Sequence, residues 1–205
     1  MTPEAVLPTY QRHAAGFARS RDLLLFERGW LERMCAAAPG PRVLDLGCGP
    51  GAPIGAYLAR RGCRLTGVDG APAMLALYRA ALPGAETVRS DMRALALGRR
   101  FDAILAWNSF FHLSMRDQRA MFPVFAAHAV PGAALMFTSG PEECERIGAV
   151  EGARIFHASL APAEYRALLV GAGFEPVAFV PEDPACRGHS VWLARRRGSW
   201  SPPRG

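Results

Sequence analysis

The sequence predicts an α/β fold: a doubly wound, seven-stranded, mostly parallel sheet with helices on both faces. Three observations carry this reading. Short apolar runs alternate with segments of helical period, the first run ends in the turn Gly47-Cys48-Gly49-Pro50-Gly51, and the last two runs, residues 174–180 and 190–194, have only a loop between them. Strands joined by helical crossovers lie parallel, whereas a pair joined by a loop lies antiparallel.

Taken in order, a proline-containing lead precedes a helix capped by Ser20 or Asp22. Its apolar face uses Leu23, Phe26, Trp30, Leu31 and Met34, and it stops at Pro39-Gly40. Residues 42–46 read as a buried parallel strand entering the glycine turn. A helix follows over about residues 53–61, with Pro53 in the first turn, where its missing N–H has no partner to lose. The beat then repeats with a strand at 64–68 ending in Asp69, a helix at 74–81, a strand at 86–89 ending in Asp91, and a strand at 101–107. Ser114, with Asp117 three residues on, reads as a capping box for a helix through Phe122, Phe125 and Ala129, which Pro123 is expected to kink or divide. Residues 133–138 supply a fifth strand, and a helix at 161–170 presents Tyr165, Leu168 and Leu169 on one face before the final strand pair. With no internal repeat or linker, residues 1–196 are expected to form a single domain, with a helical lead at 1–40 and the sheet at 41–196. The arginine-rich end from Arg195 is read as solvated, with 197–205 a flexible tail.

Composition narrows the function classes. At 205 residues, 50% hydrophobic and 20% charged, the chain can bury an ordinary core, which excludes intrinsic disorder for its body. No apolar run approaches the length of a membrane span, and residues 1–10 lack both a basic start and an apolar stretch, so a cytoplasmic protein without anchor or signal peptide is expected. The net charge of +6 comes from arginines alone. Setting aside Arg195, Arg196, Arg197 and Arg204 leaves 20 basic against 18 acidic residues, which weakens a nucleic-acid reading. The five cysteines, Cys35, Cys48, Cys63, Cys144 and Cys186, form no C-x-x-C pair, so neither a structural metal nor a disulfide framework is expected.

In open parallel sheets ligands bind at the carboxyl ends of strands where the strand order reverses, which here is the glycine turn. Asp69, twenty residues beyond Gly49, is placed to accept hydrogen bonds from two ribose hydroxyls. Gly47-x-Gly49-x-x-Ala52 also fits a dinucleotide fingerprint, and the glycines alone would serve a plain strand-to-helix turn with Asp69 capping the next helix. Asp45 separates these readings, because an anion beside the turn repels a diphosphate and attracts an ammonium group. Ser90-Asp91-Met92 pairs an acceptor for an adenine amino group with an apolar side chain for its ring, and Trp107-Asn108-Ser109-Phe110-Phe111-His112-Leu113 forms an aromatic and polar loop where a substrate would sit.

At Val43-Leu44-Asp45-Leu46-Gly47-Cys48-Gly49-Pro50-Gly51, Leu65-Thr66-Gly67-Val68-Asp69, Val88-Arg89-Ser90-Asp91-Met92 and Phe101-Asp102-Ala103-Ile104-Leu105-Ala106-Trp107, the chain closely resembles the class I S-adenosylmethionine-dependent methyltransferases, most of all small single-domain bacterial members. The resemblance covers about residues 42–196. It implies a Rossmann-like sheet of order 3-2-1-4-5-7-6 with strand 7 antiparallel. It also implies that Asp45 with Gly47, Cys48 and Gly49 holds the methionine part of S-adenosylmethionine, Asp69 the ribose, and Asp91 with Met92 the adenine. Gly70, Met74 and Trp107 fall in the same expected cofactor site. Ala52 stands where many relatives carry an acidic residue, so a contact from that position is not carried over.

Methyl transfer from a sulfonium requires alignment and exclusion of water, and a base only when the nucleophile must first lose a proton. His112, just after the fourth strand, is the leading candidate base, with packing or helix capping as its alternative; His157 is a second candidate from the opposite rim, with surface placement as its alternative. Tyr10, Asn108, Phe110 and Phe111 are candidate substrate contacts, although aromatics after a buried strand also serve as core. Cys48 reads as a small packed residue, and His13, His128 and His189 as structural. The expected function is therefore methyl transfer from S-adenosylmethionine to a small molecule, leaving S-adenosylhomocysteine. The alternatives are an NAD(P)-dependent oxidoreductase or a non-catalytic cofactor-binding partner protein. Asn108-Ser109-Phe110 lacks the Pro-Pro-aromatic continuation of amino-methylating DNA enzymes, so no nucleic-acid partner and no membrane partner are expected. The oligomeric state is left open.

Overall fold

Strand side chains alternate between faces, and here both faces are apolar, which requires helices on each side. The computed structural model describes residues 2–198. Its helices are α1 (Val6–Ser20), α2 (Arg28–Ala37), α3 (Ile54–Arg60), α4 (Pro72–Ala81), α5 (Met115–His128) and α6 (Pro162–Gly171). Its strands are β1 (Arg42–Leu46), β2 (Arg64–Asp69), β3 (Glu86–Arg89), β4 (Phe101–Ala106), β5 (Ala129–Ser139), β6 (Cys144–Val150), β7 (Ala153–Ser159), β8 (Phe174–Asp183) and β9 (His189–Arg196). Seven strands form one sheet in the order β3-β2-β1-β4-β5-β9-β8, and β6 and β7 form a separate pair. The first five run parallel, while β9 lies antiparallel to both β5 and β8. This is the order expected from the sequence, with the last two strands renumbered for the β6–β7 hairpin that precedes them.

Period-two alternation divides the core in two. Val43, Ala103, Leu105, Met136 and Leu193 join Trp30, Leu31 and Met34 of α2 on one side of the sheet. Leu44, Ile104, Ala106, Leu135, Phe137 and Trp192 join Phe122 and Phe125 of α5 and Tyr165 and Leu169 of α6 on the other. The carboxyl ends of β1, β2 and β4 are thereby fixed in depth, with Asp45 paired in register to Gly67 on one flank and Leu105 on the other.

Three local expectations are corrected, and the helical lead is made specific. The lead is itself a helix, α1, whose Val6, Tyr10, Ala14 and Phe17 follow a 3.6-residue period. Pro8 lies in its first turn, where the missing N–H disturbs nothing. The second helix begins only at Arg28. Ser20 ends α1, Asp22 accepts a hydrogen bond from the Leu24 amide (2.8 Å), and Leu25 turns the chain with φ +47°, leaving Leu23 and Leu24 exposed. Ser114 does cap α5 through the Asp117 amide (3.1 Å), yet the helix runs unbroken past Pro123. Pro123 and Arg119 both lie on the exposed face, so the carbonyl that proline leaves unpaired is open to water. Finally, Arg195 and Arg196 belong to β9: they pair with Ala134 and Phe174, and Arg197 donates its amide to the Gly173 carbonyl (3.0 Å). Of the expected tail, residues 199–205 lie outside the described residues.

The β6–β7 hairpin has no counterpart in the sequence reading. Its two-residue turn, Glu151-Gly152, has φ +48° and +75°, the backbone of a tight hairpin turn, and Val150 pairs directly with Ala153. Ile155, Phe156 and Ala158 pack on Val6 and Tyr10 of α1. A side chain at Gly16 would run into Glu151, and Ser20 donates a hydrogen bond to the Glu151 carboxylate (2.6 Å). Helix α1 and the hairpin thus form one roof over the carboxyl ends of the strands.

Candidate functional site

Between roof and sheet lies a cleft of about 1140 Å³ including its open mouth. Its floor begins at the glycine turn. The amides of Gly47 and Cys48 both donate to the Val68 carbonyl (2.8 and 3.1 Å), which folds the turn against the end of β2. Asp69 completes the fold: one carboxylate oxygen accepts from the Gly49 amide (3.1 Å) and the other from the Ala71 amide (2.8 Å). The helix-capping alternative is thereby corrected, because Ala71 is the N-cap of α4 and Asp69 braces the turn ahead of it. Gly47 has φ +66° and sits so close to Ser109 that a Cβ would fall 2.3 Å from the serine Cβ. Ser109 in turn donates to the Leu46 carbonyl (2.6 Å), tying the loop after β4 to the end of β1.

Three carboxylates face this floor. Asp45 is buried and forms no ion pair among the described residues; burial, reinforced by the nearby Asp69 charge, raises its pKa to about 7. Burial likewise pushes Asp69 above the usual carboxylate range, against the pull of its backbone hydrogen bonds. Asp91 is held low by Arg93, whose guanidinium it meets at 2.6 Å. Met92 and Met74 supply apolar surface, and Leu7 of α1 presses on Gly70, where a Cβ would lie 2.7 Å from the leucine. Burial pushes the Cys48 thiol up, so it stays neutral and packed.

The opposite side is built from the loop after β4. Trp107 stacks on His189 (5.6 Å between centroids), and its indole N–H is buried without a partner among the described residues. Asn108, at φ +49°, is held by Thr138, which accepts from its amide (2.9 Å), and by His189 Nε2 (3.0 Å). Phe110, Phe111 and His112 form a 3-10 turn, in which successive side chains point about 120° apart. His112 faces the cleft; its Nδ1 is 2.8 Å from the Phe156 carbonyl and its Nε2 is 2.9 Å from the Tyr10 hydroxyl. Burial lowers the His112 pKa to about 4 and raises that of Tyr10.

Similar proteins share this floor. A family model described as a methyltransferase domain matches residues 43–132. The trans-aconitate 2-methyltransferase of Escherichia coli (strain K12 / DH10B) is 41% identical over 83 residues, covering 40% of this chain and 32% of that protein. The match thus spans about a third of the curated relative's length. The solved S-adenosylmethionine-bound CalS10, an amino pentose methyltransferase from Micromonospora echinaspora, aligns with TM-score 0.70 and 25% identity over 90% of this chain and 96% of its own. Residues 43–132 thus match a methyltransferase domain, and the chain shares the fold of S-adenosylmethionine-dependent methyltransferases. The DhpI complex with S-adenosylhomocysteine shares the fold, with TM-score 0.74 and 20% identity over 97% of this chain and 98% of its own.

Asp45, Gly47, Cys48, Gly49, Asp69, Gly70, Met74, Asp91, Met92 and Trp107 all line the one cleft, as do Tyr10, Asn108 and His112. Three candidates do not. Phe110 points into the core among Phe122, Phe125, Phe137 and Tyr165, because its place in the 3-10 turn directs it away from the mouth. Phe111 and His157 pack against His112 from behind, each with its ring centroid 4.8 Å away, and neither lines the cleft. His157 sits half-buried on β7 rather than in a loop before α6. The cleft residues missed from sequence include Leu7, Phe17 and Arg21 from α1 and its end, together with Arg93. The periodicity of α1 was the available signal for the first two.

Proposed function

We propose that the chain transfers a methyl group from S-adenosylmethionine to a small-molecule acceptor. The observation that carries this reading is Asp45, a buried carboxylate without an ion pair beside a glycine turn: it suits a cationic amino acid moiety and is ill suited to a nucleotide diphosphate. Asp69 uses one lone pair on each oxygen for Gly49 and Ala71, and a carboxylate has about four such sites, so acceptor capacity is left for ribose hydroxyls. Met92 offers an apolar face to adenine, and Asp91 would serve as an acceptor for its amino group only by giving up one of its hydrogen bonds to Arg93. Bound in this cleft, the sulfonium supplies an activated methyl carbon whose leaving group is a neutral thioether. The chain's own work is then alignment and exclusion of water, for which the roof of α1 and the hairpin is suited.

Titration calorimetry tests this directly. S-adenosylmethionine and S-adenosylhomocysteine should bind, NAD should not, and Asp69→Ala should weaken cofactor binding by about 1–3 kcal/mol through lost charge-assisted hydrogen bonds. Saturable NAD binding with no response to either sulfur compound would replace this reading with the oxidoreductase one.

A further inference from the structure

Both parts of the roof hold His112 of the loop after β4, Tyr10 of α1 at Nε2 and Phe156 of β7 at Nδ1, and the direction of the Tyr10 contact can be derived. A carbonyl oxygen only accepts hydrogen bonds, so His112 Nδ1, 2.8 Å from the Phe156 carbonyl, must carry a hydrogen. A neutral imidazole has a single N–H, which leaves Nε2 as a bare lone pair. Burial keeps the ring neutral at pH 7, with its pKa lowered to about 4. The Tyr10 hydroxyl, 2.9 Å from Nε2, therefore spends its one hydrogen on His112. Toward the cleft Tyr10 offers only oxygen lone pairs, while the imidazole lone pair is already engaged by the Tyr10 hydroxyl.

From this geometry we infer that the acceptor is an amine, its N–H donating to the Tyr10 oxygen, and that a carboxylate acceptor is disfavoured. The inference rests on the methyltransferase reading above and names its substrate class. A carboxylate has no hydrogen to give and would face the lone pairs of Tyr10 together with the carboxylates of Asp45 and Asp69, while the two arginines that line the cleft, Arg21 and Arg93, are already paired with Glu27 (3.4 Å) and Asp91 (2.6 Å). A hydroxyl could donate, but it needs a base before it attacks, and the buried His112, reached only through the Tyr10 hydroxyl and with its pKa lowered to about 4, is a poor one. A neutral amine needs none. Its nitrogen lone pair forms the new N–C bond as the C–S bond breaks with its electron pair going to sulfur; the positive charge passes to nitrogen, and the methylated ammonium later releases one proton to water. As that charge develops, the N–H donated to Tyr10 becomes a stronger donor, so the contact favours the transition state over the bound amine. Tyr10 is thus a specificity-determining residue, and His112 is a positioning residue that sets its polarity.

Two measurements decide the matter. In ¹⁵N-labelled protein at pH 7, His112 should show the neutral tautomer with hydrogen on Nδ1, and Tyr10→Phe should shift the Nε2 resonance alone. An Nε2–H tautomer or an imidazolium overturns the inference without involving turnover. Next, sets of small molecules sharing one carbon skeleton and bearing an amine, a hydroxyl or a carboxylate are incubated with enzyme and S-adenosylmethionine, and S-adenosylhomocysteine is measured. Amine members should turn over to products stable to mild base, and Tyr10→Phe should lower kcat about 10- to 100-fold with little change in the KM for S-adenosylmethionine. Turnover of carboxylates to base-labile methyl esters, turnover of the hydroxyl members, or cofactor binding with every amine inert would overturn it. Failure of the cofactor to bind at all would instead remove the methyltransferase reading.

Discussion

Asp69 reaches the Gly49 amide across 20 residues of sequence, whereas Tyr10 reaches His112 across 102 and Ser20 reaches Glu151 across 131. The floor of the cleft is made of adjacent strand ends and the turns that leave them. The roof is made of α1 and a hairpin drawn from opposite ends of the chain. The family match at residues 43–132 begins after α1 and stops before the hairpin, so it covers the floor and omits the roof. The floor and the loop after β4 thus fall within the region shared with known methyltransferases, whereas α1 and the hairpin, which close the cleft from above, fall outside it.

The interlock between the halves is the place to break this contrast. Gly47→Ala puts a Cβ 2.3 Å from that of Ser109 at a φ that disfavours any side chain. It should cost about 2–4 kcal/mol of stability in chemical denaturation and weaken cofactor binding at the same time. A variant as stable as the parent would mean that the loop after β4 moves independently of the glycine turn. A second test concerns the floor alone. With its pKa near 7, Asp45 holds a proton below that pH in the free protein, and a bound ammonium favours the carboxylate. Binding below pH 7 should therefore release a proton, and affinity for S-adenosylmethionine should rise by up to about tenfold per pH unit as pH increases toward 7, then level off. Calorimetry in buffers of different ionisation enthalpy measures this, and a flat profile with no proton release would place the ammonium elsewhere. The smallest effect belongs to the roof. Ser20→Ala removes an exposed hydrogen bond and should lower stability by less than about 1 kcal/mol while leaving cofactor affinity unchanged; a drop in affinity would show that the floor leans on the roof.

The same contrast explains what the sequence disclosed. The strand order, the glycine turn, and Asp45, Asp69 and Asp91 could be read because a parallel strand followed by a tight turn fixes residue spacing locally. Ser114 could be read as a cap for the same reason. The hairpin was missed because β6 is mostly exposed, has little apolar alternation, and turns on Glu151-Gly152 rather than on asparagine or aspartate. Phe110 was misplaced because a 3-10 turn rotates each residue by a third of a circle, and nothing local marks which of three successive aromatic rings meets the core. The unbroken course of α5 past Pro123 depended on which face of the helix met water, a property of the folded protein rather than of the segment.

The span of the Tyr10–His112 and Ser20–Glu151 contacts also bears on the order in which the molecule assembles. Closing a long loop costs more chain entropy than closing a short one, and contacts distant in sequence tend to form after local ones. The glycine turn and the strands beside it can gather while α1 is still unattached. Helix α1, synthesised before the hairpin, must wait for residues 144–159 to leave the ribosome before its partner exists. A chain paused short of the hairpin would hold a formed floor under an open top, so burial of the Tyr10 ring is expected to mark the last stage of folding.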